Sequence, residues 1–194
     1  MQTEPVLVLA SASPRRRALL EGIGARFAVE EAGCDESAAD MLPARARVEE
    51  LARMKCAAVA ARHPDRVVIG ADTMVLDAQG ELLGKPKDEP DAKRMLLALS
   101  GRMNTVLTGV CVMADGGKVE RRGVEETQVY FRELDEREID RYIATGEPLD
   151  KAGAYGVQGR GALFVRRIEG DYFNVVGLPL VLTARLLGEV GYTL

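Results

Sequence analysis

The sequence predicts a mixed α/β fold, and three observations carry that prediction. Short apolar runs alternate with helical periods through the first half of the chain, and the period then changes to two between residues 106 and 131. Proline, glycine and acidic caps punctuate the boundaries, which is the pattern of helices packed on a sheet with both parallel and antiparallel members.

The elements follow in order. An apolar run at residues 6–10 has strand length, and Ser-Ala-Ser-Pro leads from it into a helical pattern through Leu19, Leu20 and Ile23 that glycine closes. A second helix is expected from about 43 to 62, because Val48, Leu51, Ala52, Ala58 and Val59 recur at helical spacing. The next strand covers 66 to about 76. Pro90 opens a third helix bearing Ala92, Met95, Leu96 and Leu99, with Ser100-Gly101 as its stop. Strands through Val106, Thr108, Val110 and Val112, and through Thr127, Val129 and Phe131, flank an Asp115-Gly116-Gly117 turn and predict a long antiparallel hairpin. Asp135 and Glu138 write a capping box for a helix through Ile139, Tyr142 and Ile143, ended by Gly146. A glycine-rich polar loop is expected at 147–161, then a strand near 162–168 and a last helix from Pro179 through Leu182, Leu186 and Leu187. There is no repeat or linker, so residues 1–194 are expected to form one domain, folded whole or as two lobes about a cleft.

Composition bounds the function. With 194 residues, 47% apolar and 29% charged, the chain can build a core. Residues 1–5 carry no basic leader and nothing approaches the ~20 apolar residues of a membrane span, so a cytoplasmic protein without membrane attachment is expected. Cys34, Cys56 and Cys111 form an odd set without a C-x-x-C pair, and His63 is the one histidine, so neither a disulfide framework nor a zinc site is written here. The net charge of −4 argues against a nucleic-acid binder. An anionic ligand would have to meet locally converging basic residues.

Several segments could supply that convergence. In Ser11-Ala12-Ser13-Pro14-Arg15-Arg16-Arg17, Ser13 is a natural N-cap and Pro14 takes the first helical position. Three arginines then crowd the positive end of the helix dipole, where acids are the usual occupants. They suit a phosphate seated on hydroxyls, backbone amides and guanidinium forks, although a solvated basic turn neutralised by distant carboxylates would read the same. Lys55 interrupts the apolar stripe of the second helix, either facing a cleft or snorkelling. Asp72 stands in the middle of an otherwise apolar strand, so its carboxylate needs a cation, a metal or a proton, a structural ion pair included. Gly70, on the same strand face, leaves room for a ligand. Asp35-Glu36 precedes the second helix, and Lys85-Pro86 follows the strand of Asp72; Gly84-Lys85 lacks the spacing of a P-loop. In the segment at 150–159, glycines permit close backbone approach and Gln158 offers a donor and an acceptor, which suits a base edge as well as a plain flexible loop.

Taken together, LASASPRR, GADTMVLD with GKP downstream, LSG, and DKAGAYGVQG followed by VVGLPL resemble the Maf family of nucleoside triphosphate pyrophosphatases, from Val8 to Leu182. The resemblance implies an elongated mixed α/β fold with two lobes about a cleft, like that of the inosine triphosphate pyrophosphatases. It also implies a divalent cation, Mg2+ or Mn2+, as cofactor. By matching motif, Asp72 resembles the catalytic proton acceptor, and Ser11, Ser13, Arg16, Lys55 and Lys85 resemble phosphate contacts. Glu36, with Asp72, falls at the metal, and Arg15, Thr73 and Gln158 fall at the specificity positions. The expected substrates are dTTP and UTP, cut to the monophosphate and pyrophosphate; homodimerisation is left open. The same resemblance admits a second reading, a nucleotide-sensing regulator of septum formation without turnover.

Overall fold

The computed structural model describes residues 6–194, so the residues 1–5 that were read for a leader lie outside the described residues. Strand β1 (Leu7–Ala10) is buried along its whole length and pairs in parallel with β2 (Phe27–Val29) on one side and β3 (Val67–Leu76) on the other. Continuous burial explains its unbroken apolar run, since a parallel strand is covered on both faces. Its side chains divide by alternation: Leu7 and Leu9 pack with Ile69, Val110 and Leu186, while Val8 and Ala10 pack with Val68, Ala52, Cys56 and Val59.

The strands hydrogen-bond in the order β2-β1-β3-β5 (Met103–Ala114)-β6 (Val119–Phe131)-β7 (Val165–Glu169), with β4 (Leu82–Leu83) antiparallel on β3. Strands β5 and β6 are neighbours joined by the tight turn at Asp115–Gly117, which is the expected hairpin. Antiparallel β7 pairs with β6, and the mixed character of the sheet is as expected. Helices α1 (Pro14–Gly22), α2 (Ala44–Ala60), α3 (Glu89–Leu99), α4 (Glu136–Ile143), α5 (Tyr172–Val176) and α6 (Leu180–Glu189) complete the fold. The capping box read at Asp135 and Glu138 is present in both directions.

The chain gathers into two compact units. The first takes in the chain through Asp72, Thr108–Glu125 and Gly177–Leu194; the second takes in Thr73–Leu107 and Glu126–Val176. Each has its own core. That of the second unites Val75, Leu83, Met95, Leu96, Leu99, Ile139, Tyr142, Tyr155 and Phe164.

In the first unit α2 lies directly on the sheet backbone. A Cβ at Gly70 would stand 2.4 Å from Ala52 O and 2.6 Å from Cys56 N, and one at Gly109 would stand 2.3 Å from Val48 O. The space beside Gly70 is therefore filled by helix backbone rather than left for a ligand, which corrects the expectation from strand alternation. Two glycines on neighbouring strands let α2 sink until its side chains reach along the sheet.

The segment at 147–161 also departs from expectation. It winds through three short 3-10 turns (Glu147–Asp150, Ala152–Ala154, Gly159–Phe164), and Gly153, Ala154, Tyr155, Gly156, Val157 and Gly161 are buried. Tyr155 donates to Asn104 Oδ1 at 2.9 Å and stands edge-on to Phe131 with ring centroids 4.8 Å apart. Aromatic packing, invisible to a count of glycines and polar residues, makes this loop part of the core. Its last turn delays β7 to Val165. Among the described residues no helix is long and apolar enough to cross a membrane.

Candidate functional site

The parallel register Ala10↔Gly70 carries β1 and β3 to the same level, so the next residues, Ser11 and Ala71, emerge side by side. Ser13 caps α1 by accepting from Arg16 N at 3.5 Å, and Ser11 Oγ accepts from Ser13 N at 3.2 Å. Arg16 then closes the corner. Its Nη1 donates to Ala71 O at 2.8 Å and Ser11 Oγ at 3.3 Å, and its Nε donates to Gly177 O at 2.7 Å. The planar fork thus braces the start of α1 against β3 and the segment before α6. Desolvation lowers the Arg16 pKa from its ordinary value, the charge of Asp72 opposes that shift, and neighbouring Arg15 adds to it. Arg17 points elsewhere, to Glu21 at 2.7 Å on an exposed face, an ion pair of little energetic weight. The three arginines of the first turn therefore separate: Arg16 is tied into the fold, Arg15 is half-buried, and Arg17 is solvated.

Lys55 ends on two carboxylates instead of snorkelling to solvent. Its Nζ lies 2.6 Å from Asp72 Oδ1 and 3.1 Å from Glu36 Oε1, with the lysine and aspartate side chains only 18% and 16% exposed. The close seat of α2 on Gly70 makes this possible, because Gly70 and Asp72 share a strand face and Lys55 descends from the helix onto it. Asp72 remains partly accessible. The acidic pair before α2 divides: Glu36 turns to Lys55, whereas Asp35 Oδ1 accepts from Ser37 N at 3.0 Å, and that backbone hydrogen bond holds its pKa below the usual carboxylate value.

Thr73, Lys85 and Gln158 belong to the second unit. Thr73 is half-buried on β3, while Lys85 and Gln158 are exposed. The segments of the last two are tied together, since Gly153 N donates to Gly84 O at 3.1 Å. Gly153, at φ +71°, brings its Cα so near β3 that a Cβ would stand 3.0 Å from Val75 Cγ1.

The carboxylates of this corner are the oxygen donors that a hard cation would use. Two carboxylates, Asp72 and Glu36, converge on one point, marked by the Lys55 ammonium, and Mg2+ is commonly held by one or two carboxylates with water and phosphate completing its shell. Among the described residues no group of three or more His, Cys, Asp and Glu side chains stands ready to cage a metal.

Three contributors escaped the sequence reading. Gly109 seats α2, and a glycine inside an apolar strand is a signal that would have found it. Gly177 supplies a backbone carbonyl to Arg16, which no side-chain pattern announces. The third is the pair Tyr142 and Glu147, whose hydroxyl and carboxylate meet at 3.0 Å under the loop of Gln158.

Fold and site together define a mixed α/β protein in which Ser11 and Arg16 gather just past the end of β1, while Lys55 of α2 meets the carboxylates of Asp72, midway along β3, and Glu36. The model of Maf-like proteins matches residues 6–190, and the chain belongs to the Maf family. A protein of Moorella thermoacetica called dTTP/UTP pyrophosphatase is 55% identical over 185 residues, covering 95% of each chain. Proteins of the same description from a Geobacillus species and from Deinococcus radiodurans are 52% and 49% identical, covering 96% and 98% of this chain and 98% and 95% of theirs. Among solved structures, a nucleoside-triphosphatase, dITP/XTP pyrophosphatase, of Mycobacterium abscessus matches with a TM-score of 0.37 and 13% identity over 63% of this chain and 73% of that one.

Proposed function

We propose that this chain hydrolyses dTTP and UTP to the monophosphate and pyrophosphate, with Mg2+ or Mn2+ as cofactor, in the cytoplasm. The observation that carries the reading is the Lys55 ammonium between the carboxylates of Asp72 and Glu36, beside the Ser11 and Arg16 corner. Relatives about half identical over nearly the whole chain bear the matching description.

In this reading Asp72 accepts a proton from, and aims, the water that attacks the α-phosphorus. Ser11, Ser13 and Arg16 receive phosphate oxygens at the start of α1, where hydroxyls, amides and the helix dipole all favour an anion. Lys55 and Lys85 attract the charge that accumulates on the departing pyrophosphate. Glu36 and Asp72 would hold the cation, which when bound draws negative charge off the triphosphate. No covalent intermediate on the protein is needed.

Base choice falls to Arg15, Thr73 and Gln158. The Gln158 amide matches the N3–H and carbonyl edge of uracil and thymine, whereas cytosine presents an acceptor at N3 and an amine beside it. Arg15 repels a cationic 7-methylguanine, and the chain has no tryptophan to offer such a base a π face. A turnover panel of nucleoside triphosphates tests this: dTTP, UTP and 5-substituted uridines should exceed dCTP, dATP and 7-methyl-GTP in kcat/KM. Preference for 7-methyl-GTP contradicts it.

A further inference from the structure

Gln158 sits at the apex of a loop whose two feet touch. Gly156 and Gly161 are buried while residues 158–160 are exposed. A Cβ at Gly161 would stand 2.4 Å from Gly156 O and 2.9 Å from Tyr142 Oη, so only glycine allows the feet to close. Left to its glycines, such a loop would sample many conformations, and an amide that samples many directions discriminates poorly between bases.

One pair of side chains pins both feet. Tyr142 Oη accepts from Gly156 N at 3.3 Å and donates to Glu147 Oε1 at 3.0 Å. The same Oε1 accepts from Gly161 N at 3.2 Å, and Oε2 accepts from Arg160 N at 3.1 Å. The carboxylate therefore holds backbone on the far side of Gln158, and the hydroxyl holds backbone on the near side. Gly159 sits at φ +73°, which strains any residue with a Cβ, and a Cβ there would also press on Glu147 Oε2 at 2.9 Å.

The clamp is itself supported. Tyr142 is edge-on to Phe164 with centroids 4.9 Å apart, and burial pushes its hydroxyl pKa up, so it stays a donor. Lys151 Nζ donates to Glu147 O at 2.5 Å and to Asp150 Oδ1 at 2.6 Å, and its stem covers Gly156. Charge-assisted hydrogen bonds to two consecutive amides resist loop opening more than neutral ones.

We infer that Tyr142 and Glu147 are positioning residues for substrate selection, a hydroxyl–carboxylate clamp that aims Gln158 at the base. This rests on the reading of Gln158 as a base contact. Its test is the ratio of kcat/KM for dTTP over dCTP in the full-length enzyme and in Gln158→Ala, Tyr142→Phe, Glu147→Gln and the doubles with Gln158→Ala. Tyr142→Phe, which keeps the ring in its packing, should lower the ratio about tenfold, the worth of one well-placed hydrogen bond, with the loss falling on KM. In the Gln158→Ala background neither clamp variant should lower it further. An unchanged ratio in folded Tyr142→Phe, or losses that simply add to that of Gln158→Ala, overturns the clamp while leaving Gln158 as the reader. An unchanged ratio in Gln158→Ala alone overturns the reader and the clamp with it. Should Glu147→Gln fold poorly, Tyr142→Phe decides.

Discussion

Lys55 Nζ stands 2.6 Å from Asp72 Oδ1, an ion pair brought together by a helix that rests on bare strand backbone. The two side chains depend on each other for solvation, since a largely buried charge without its partner is costly. Asp72→Asn keeps the shape of the side chain but removes its basicity and its charge. Turnover should fall by about 10²- to 10⁴-fold, as loss of a general base does. The far-ultraviolet circular dichroism spectrum should stay that of the parent, and near-normal kcat in the variant would remove Asp72 from the mechanism.

Arg16 makes a prediction in which lysine is no substitute. Its guanidinium serves Ser11 Oγ, Ala71 O and Gly177 O from one rigid plane. Arg16→Ala should lower stability by about 1 to 3 kcal/mol and raise KM for the triphosphate, and Arg16→Lys should recover little of either. Urea titration with steady-state kinetics checks both; full recovery by lysine would mean that charge alone is required.

Gly70→Ala and Gly109→Ala each push a methyl group into α2 backbone at 2.4 Å and 2.3 Å. Each should destabilise by about 1 to 3 kcal/mol, and Gly70→Ala should also depress turnover by lifting Lys55 from Asp72. Gly22→Ala is the control: no atom lies within 4 Å of its added Cβ, and stability should rise by about 0.4 to 1 kcal/mol. Differential scanning calorimetry separates these, and a Gly70→Ala protein as stable as the parent would show that α2 is not seated as described.

The Arg132–Glu138 pair gives an acid signature. Its two N–H···O contacts of 2.7 and 2.9 Å hold the Glu138 pKa down to about 2 from 4.5. A carboxylate whose pKa is depressed by folding contributes stability above its unfolded pKa and loses it as pH falls through the folded value. Stability should therefore decline between pH 4.5 and about 2, and Glu138→Gln should flatten that part of the profile. Denaturant midpoints measured across this range check it; identical slopes in both proteins would exclude the pair as a cause.

Elements with a strong local period were legible in the sequence: β1, α2, the β5–β6 hairpin and the capped α4 stand where hydrophobic spacing and caps put them. Short β2 and β4 were not, since three or two residues hold no period. The carboxylate of Asp72 was legible because a charge in an apolar strand demands a partner, and Lys55 was legible for the same reason on its helix. The clearance at Gly70 was misread because a missing side chain does not say whether ligand or helix fills the space. Arg16 was read as facing either a phosphate or a solvated turn, and its backbone acceptors come from residues 55 and 161 positions away, a relationship that only the folded chain contains.

Hydrolysis of dTTP in ¹⁸O-enriched water tests the central claim most directly, because it reports which phosphorus the water attacks. With attack at the α-phosphorus, the label appears in dTMP, the pyrophosphate is unlabelled, and the two products form in equal amounts. Asp72→Asn should slow the appearance of that label by the same factor as turnover, with the label still in dTMP. Label in pyrophosphate, or release of inorganic phosphate with dTDP, would place the attack on another phosphorus and contradict the account.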